Sequence, residues 1–409
     1  MQRPNNFFLI LILGSLATVS PFAIDLYLPA FSQMARELNT TTSTIALSLS
    51  SYFIGLSVGQ LAYGPLLDRF GRKPPLYFGL SLFILASLGC LVSDSVEMLI
   101  AFRFLQALGG CAAQVGAVAM VRDFFPPREG AKIFSLLMLI IAVSPMLAPT
   151  VGGLVTTTLG WHWVFVLLAA FAVLLMLVNF FFLPEGHQAD RGITLKPGPI
   201  FRTYASILKE PQFYTYALSG AFAFSGLFVY VAGSPILFMD IFQLNAQTYG
   251  GIFAFLSVGL IGAAQFNILL TRRFSSEQIF RCAVVFQSII GLIFLTGTLA
   301  GGFGLIPTVA MLFLILSSVG LSNPNASALA LAPFSKNAGS ASALLGFLQI
   351  GTGAIASAGV GMLNSRSALP IVAILSLTSL IAISIFFTGR RRILTQVEDE
   401  SGEAAVMAH

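Results

Sequence analysis

Twelve apolar runs recur along this chain of 409 residues, most of them about 20 residues or longer, the length a helix needs to cross a hydrocarbon layer. Few folds accept that pattern. In hydrocarbon every backbone N–H and C=O must find a partner within the protein, which leaves helices or a closed β-barrel. Barrel strands alternate apolar and polar residues, and the runs at 76–92 and 164–183 do not alternate. An all-α polytopic membrane protein is therefore expected. Breaks at charged, Gly/Pro-rich or amide-rich points put the spans at approximately 7–33, 43–63, 75–93, 97–121, 131–157, 161–183, 213–237, 247–270, 278–300, 305–330, 338–363 and 367–388. The even number places both termini on one side.

The first run follows Arg3 but is too long for a secretory signal and lacks a small-residue cleavage site, so it is expected to remain as helix 1. With the N-terminus inside, every Lys and Arg except Arg36, Arg366 and Arg103 falls on the cytoplasmic side, as the positive-inside rule requires. The net charge of +5 thus reports topology, not a nucleic-acid partner. Arg390, Arg391 and Arg392 follow just after span 12, where contact with anionic lipid head groups is expected. Cys90, Cys111 and Cys282 sit in apolar segments at unrelated spacings and read as buried small hydrophobes. His162, His187 and His409 lack metal-ligand spacing, so no metal is expected.

The longest loop, 184–211, carries four prolines together with His187, Arg191, Lys196, Arg202 and Lys209. It divides the chain into an N-terminal six-helix half (1–183), a cytoplasmic linker (184–211), a C-terminal six-helix half (212–388) and a tail (389–409) that reads as disordered. The segment 64–76, GPLLDRFGRKPPL, reads as a loop between spans 2 and 3. Asp68, Arg69, Arg72 and Lys73 fall within six residues of it, in a chain with only 9% charged residues. The nearest internal echo, LTRRFSSEQIFR at 270–281, follows span 8 and is degenerate.

The 64–76 segment resembles the signature between helices 2 and 3 of the major facilitator superfamily, GxLaDrxGrkxxl. Gly64, Asp68, Arg69, Gly71, Arg72 and Lys73 match it, and Pro65 departs from it. Arg103, Gln106 and Gly109 in RFLQALGG are similar to the intramembrane-arginine motif of that superfamily's drug/proton antiporters. Pro145, Pro149, Gly152 and Gly153 in SPMLAPTVGGLV are similar to its antiporter motif, with Ala148 where a glycine is usual. AIDLYLPAF at 23–31, Gly160-Trp161-His162, and NASALALAPFSKNAGSASALLGFLQ at 325–349 resemble the Bcr/CflA branch, which exports bicyclomycin, phenicols and sulfonamides. The resemblance implies two six-helix halves around a central cavity, a bacterial inner-membrane location with both termini cytoplasmic, a monomer, and a proton gradient in place of any cofactor. It also implies that Asp68 and Arg72 bind across to neighbouring helices and lock the outward-facing state as a conformational gate, with Asp123 as partner for Arg72 and Asp68 near the start of helix 11; a solvated turn that merely obeys the positive-inside rule is the competing reading.

Asp25 is the one acidic side chain expected in the interior of a span, Glu97 standing at the first residue of span 4, and a carboxylate there is costly enough to suggest a function. Gly14, Ala17, Thr18, Pro21, Asp25 and Ser32 share one helical face at about 100° per residue. Arg103, Gln106, Gly110 and Gln114 align likewise in span 4. Asp25 and Arg103 differ in depth by about 5 Å, so the two are expected to meet, directly or through water. Desolvation favours a neutral acid and a nearby arginine favours the carboxylate, the balance a proton carrier needs. A structural ion pair holding spans 1 and 4 together is the competing reading. Span 5's prolines and glycines suit a pivot.

Polar substrate contacts are expected from Tyr27, Gln106, Gln114, Tyr230, Asn323 and Gln349, with Tyr52, Gln265, Asn267 and Asn325 as further candidates. Span 7 adds Tyr216, Phe222, Phe224 and Phe228 to an aromatic pocket, although most of these rings are expected to serve packing or face lipid. No phosphate-binding loop, catalytic triad or zinc motif occurs, which speaks against an ATP-driven pump or an enzyme. The leading expectation is a proton-coupled exporter of small amphipathic drugs. The alternatives are an exporter of a polar metabolite such as an amino acid or nucleoside, and a non-transporting sensor, which would need a large signalling loop or tail.

Overall fold

In the computed structural model, which describes residues 6–125, 127–184, 189, 197–334, 337–363 and 367–407, the chain forms helices and no strand among those residues. Arg3, His187, Arg191, Lys196, Arg366 and His409 lie outside the described residues. The helices are α1 (Asn6–Asp25), α2 (Phe31–Glu37), α3 (Thr42–Phe70), α4 (Lys73–Leu91), α5 (Val96–Phe124), α6 (Pro127–Thr158) and α7 (His162–Phe182). They continue as α8 (Pro197–Leu208), α9 (Pro211–Pro235), α10 (Ala246–Leu270), α11 (Ser276–Leu299), α12 (Leu305–Leu331), α13 (Ala338–Met362) and α14 (Leu369–Met407). Among the described residues twelve helical segments are long and apolar enough to span a membrane, α1 and α2 together forming Phe7–Glu37 and α9 running on through a widened π-type turn to Ile241.

Several boundaries differ from the sequence reading, each for a local reason. The first span is not one helix: α1 stops at Asp25, and a tight 3-10 turn at Leu28–Ala30 precedes α2. Pro29 inside that turn supplies no N–H to the carbonyl four residues back, that of Asp25, so the α-helical ladder loses a bond where α1 ends. The segment 64–76 is mostly helical, with α3 continuing through Phe70 and α4 starting at Lys73, so only Gly71 and Arg72 form the turn. Gly71 takes φ 83°, a left-handed conformation that glycine adopts without steric cost, and the prolines that follow sit in the first turn of α4, where an N–H has no helical partner. The expected linker contains α8, whose Tyr204 and Ile207 are buried while Phe201 is exposed. The expected disordered tail extends α14 to Met407, because lengthening an established helix needs no new nucleus. The ninth span turns Cys282 outward, while Cys90 and Cys111 are buried. Asp240 falls within the seventh span because the widened turn carries that span past Pro235.

The two halves repeat one packing scheme. In the first, α1 packs on α5 and α6, α3 and α4 pack on α5, and α4 packs on α7. In the second, α9 packs on α12 and α13, α10 and α11 on α12, and α11 on α14. Hydroxyls buried in this apolar packing mostly bond carbonyls one turn back, as Ser87 does to Phe83 and Ser257 to Phe253. Where the halves meet, α3 lies along α13 and α6 along α10. The α3–α13 seam carries a Ser50–Ser357 hydrogen bond of 2.9 Å and one of 2.9 Å from Ser57 to the Phe347 carbonyl. The α6–α10 seam closes at the end of the bundle opposite the termini, where Gly153 meets Ala246 and Gly250 meets Thr150. At that same far end Ser32 donates to Asp240 across the halves at 2.9 Å, joining the 3-10 break of the first span to the π-type turn of the seventh.

Candidate functional site

The break in the first span assembles the site. The last carbonyls of a helix have no partner within it, so ending α1 at Asp25 leaves the Ala23 carbonyl to accept from Arg103 at 2.9 Å. Arg103 is fully buried, and its guanidinium lies between two rings, 4.1 Å from the Tyr27 centroid and 4.2 Å from that of Tyr52. It also donates to Gln106 Oε1 at 2.5 Å, and Gln106 donates to Ser87 at 2.7 Å. Tyr27 completes the shell through a 3.2 Å bond with Ser48. One cation thus ties α1, α3, α4 and α5 together by carbonyl, amide and π-face interactions.

Asp25 takes no part in that shell. It is 6% exposed, and among the described residues no ion pair reaches its carboxylate. The expected direct meeting of Asp25 with Arg103 is therefore not made here. The depth estimate was compatible with it, but the guanidinium points to Ala23 and the two rings instead. The shared face of Gly14 through Ser32 also ends at Asp25, since Ser32 belongs to α2 and bonds Asp240. Tyr27 and Gln106 are fully enclosed by the Arg103 shell, so neither is open to a ligand in this conformation. Gln114 lies further along α5, its Oε1 buried without a partner.

The residues of the antiporter-like motif press against this break. Gly152 of α6 approaches the backbone of Leu26 so closely that an added Cβ would stand 1.8 Å from the Leu26 carbonyl oxygen. Gly153, next in sequence, faces Ala246 of the other half. Pro149 and Ala148 are buried beside them, Pro145 less so, and both prolines stand inside α6.

Between α3 and α4, Arg72 donates to Asp123 at 2.7 and 3.2 Å and to Asp68 at 2.8 Å. Burial works against its charge, and the bonds to Asp123 and Asp68 overcome this and hold the guanidinium above its ordinary pKa. This clasp joins the α3–α4 turn to the end of α5. Asp68 directs its carboxylate to Arg72 and is otherwise half-exposed. Arg69 lies over the ring of Phe70 and Lys73 opens α4, while Gly64 sits in open space.

In the second half, Gln349 donates to Asn323 at 2.8 Å and to Ser327 at 3.3 Å. Asn325 donates to Asn267 at 2.7 Å, a buried link between α12 and α10 that serves packing. Of the aromatic residues of α9, Tyr216 packs on Phe280 and Phe386, and Phe228 meets Phe53 of the first half at 4.6 Å. Tyr230 is buried and stacks on Phe253 at 5.4 Å. Two residues passed over by the sequence reading belong to this region: Asp240, signalled by its charge in an apolar run, and Tyr249, whose hydroxyl pairs with Ser234 at 2.9 Å. Beside the Ser32–Asp240 bond opens a far-end cleft of about 760 Å³, lined among others by Arg36, Glu37, Gln243 and Asn245.

Residues 13–358 match the family model described as Major Facilitator Superfamily. The chain is 36% identical to the uncharacterized MFS-type transporter YdgK of Bacillus subtilis (strain 168), over 92% of this chain and 94% of that one. It is 30% identical to the bicyclomycin resistance protein homolog of Haemophilus influenzae, over 94% and 97% of the two chains. With multidrug resistance protein D of Escherichia coli (strain K12) it shares 31% identity over 87% and 89%. Among solved structures, a D-xylose-proton symporter superposes with a TM-score of 0.72 over 92% of this chain and 97% of that one, at 15% identity. A bacterial homolog of the human lysosomal transporter Spinster, inward-facing and unoccupied, gives 0.70 over 97% and 99%, also at 15%. Likeness at that identity concerns the fold alone.

Replacing Arg103 by lysine keeps the charge but loses the paired hydrogen bonds and the fit between two rings. Thermal unfolding of the purified protein is expected to show a loss of about 2–3 kcal/mol. Gly152→Ala drives a methyl group into the Leu26 carbonyl and is expected to cost about 1–3 kcal/mol by the same measurement. Gly64→Ala, with nothing within 4 Å, should be neutral or slightly stabilising.

Proposed function

Because the chain belongs to the Major Facilitator Superfamily, whose matched relatives here include proteins named for bicyclomycin and multidrug resistance, we propose that it is a proton-coupled antiporter of small amphipathic drugs. It works by alternating access in the bacterial inner membrane, with both termini cytoplasmic, and bicyclomycin, phenicols and sulfonamides are its candidate substrates. The observation that carries the proton coupling is Asp25: a buried carboxylate at a helix break, beside the seam between halves, with no ion-pair partner among the described residues. A permanently paired carboxylate would have no reason to titrate. One that is buried without such a partner is free to respond as the halves move.

In this reading Asp25 accepts a proton from outside as drug leaves, and releases it inside as the next drug molecule arrives. Arg103 keeps the break in register without neutralising the carboxylate. The Arg72 clasp with Asp123 and Asp68 holds α3, α4 and α5 as one body, so that the first half moves as a unit. The contacts of α6 with α10 and of Ser32 with Asp240 are those that must part for the far end to open.

The test is expression in an efflux-deficient strain challenged with bicyclomycin, chloramphenicol and a sulfonamide, followed by proton-driven uptake into everted vesicles. Wild type is expected to raise tolerance to at least one of these, and Asp25→Asn to lower uptake to the level of vesicles lacking the protein. Uptake by Asp25→Asn equal to wild type removes Asp25 from the proton path. Unchanged tolerance to every drug would favour export of a polar metabolite such as an amino acid or nucleoside.

A further inference from the structure

The proton step leaves one buried hydroxyl of the second half unused. Tyr230 is 3% exposed and its hydroxyl has no hydrogen-bond partner, although buried phenols ordinarily find one. Its ring is held by the 5.4 Å stack on Phe253, which in turn packs against Tyr249 at 6.0 Å. Tyr249 is already committed to Ser234, so Tyr230 is the free donor of the pair.

A chain of close approaches places this cluster opposite Asp25. Gly152 lies on the backbone of Leu26, the residue after Asp25; Gly153 lies on Ala246 and Thr150 on Gly250. Tyr249 and Phe253 belong to the same first turns of α10. Helices α9 and α10 both touch the Leu28–Ala30 turn, and both tyrosines lie within the electrostatic reach of Asp25. The other titratable or charged groups around the break include Tyr27 on the break itself, Arg36 and Glu37 on α2, Arg103 on α5, His162 at the start of α7, Asp240 through its bond with Ser32, and Tyr52 of α3 against Arg103. Helix α6 carries none from Leu139 to Thr158.

We infer that Tyr230 is a positioning residue for the Asp25 proton: with the α6–α10 seam closed as it is here, its still unpartnered hydroxyl donates a hydrogen bond across the two halves once Asp25 has lost its proton. This rests on the proton-carrier reading of Asp25. The step is a side-chain rotation of Asp25 toward Tyr230 as its proton passes to water on the terminal side, and Tyr230 keeps its own proton throughout. A phenol hydrogen bond favours the ionised partner, so closure of the far end and release of the proton toward the cytoplasm support one another. Protonation removes the acceptor's charge and weakens the link, which favours reopening. An antiporter needs that sign of coupling.

Infrared difference titration of the full-length protein in lipid nanodiscs tests this without a known substrate, using the carboxyl C=O band that Asp25→Asn abolishes. In Tyr230→Phe, which preserves the ring stack, the midpoint of that band is expected to move to higher pH by about one unit. The melting temperature should stay at the wild-type value, and Tyr249→Phe should leave the midpoint in place. An unmoved midpoint in Tyr230→Phe overturns the inference while leaving the carrier reading intact. An equal shift in Tyr249→Phe also overturns it, because general loosening of the cluster would then explain both. An Asp25 band that does not titrate from about pH 5 to about pH 10 removes the carrier reading and this inference with it.

Discussion

The burial of one guanidinium organises the first half. Arg103 has no carboxylate to neutralise it among the described residues, so its stability in the membrane depends on a carbonyl freed by the end of α1, an amide from its own helix and two aromatic faces. Each partner comes at a structural condition: the helix must end at Asp25, Tyr27 must turn inward, and α3 must present Tyr52. Because these conditions are shared, the position of the unpaired Asp25 follows from the solvation of its neighbour.

That position has a second consequence. The backbone next to Asp25 is pressed by Gly152 of α6, and the adjacent Gly153 presses the opposite half. Two consecutive residues of one helix thus touch the titratable break and the partner half at once. Movement along the seam and movement at Asp25 share a support, whichever begins. The Arg72 clasp belongs to another level of the fold, tying the α3–α4 turn to the end of α5 at the terminal end.

Much of this was legible in the residues. Span number followed from apolar length, and the Arg72–Asp123 contact from motif resemblance. Rotation about the helix axis is harder to read: a depth difference of about 5 Å allows Asp25 and Arg103 to meet, but the end of α1 at Asp25 frees the Ala23 carbonyl that Arg103 meets instead. The face from Gly14 to Ser32 assumed an unbroken helix and so lost its last member. Tyr27 and Gln106 were read as substrate contacts because polar groups in spans suggest cavities, yet a buried cation recruits such groups first. Tyr249 escaped notice because a single aromatic in an apolar helix gives no signal until its packing is known.

The serines along α3 and α13 bear on how readily the molecule changes shape. Ser50 and Ser357 hold two protons for three acceptors, the Ala46 carbonyl, the Ala354 carbonyl and each other's oxygen, so one hydroxyl bonds across the seam while the other bonds its own helix. Ser57, whose acceptor is the Phe347 carbonyl, stands four residues beyond Phe53, the same spacing at which Ser87 bonds its own helix. As the helices slide apart, each hydroxyl retains or finds an acceptor within its own helix. Separation therefore strands no polar group in lipid, and the transition barrier loses the contribution that makes most buried hydrogen bonds slow to break.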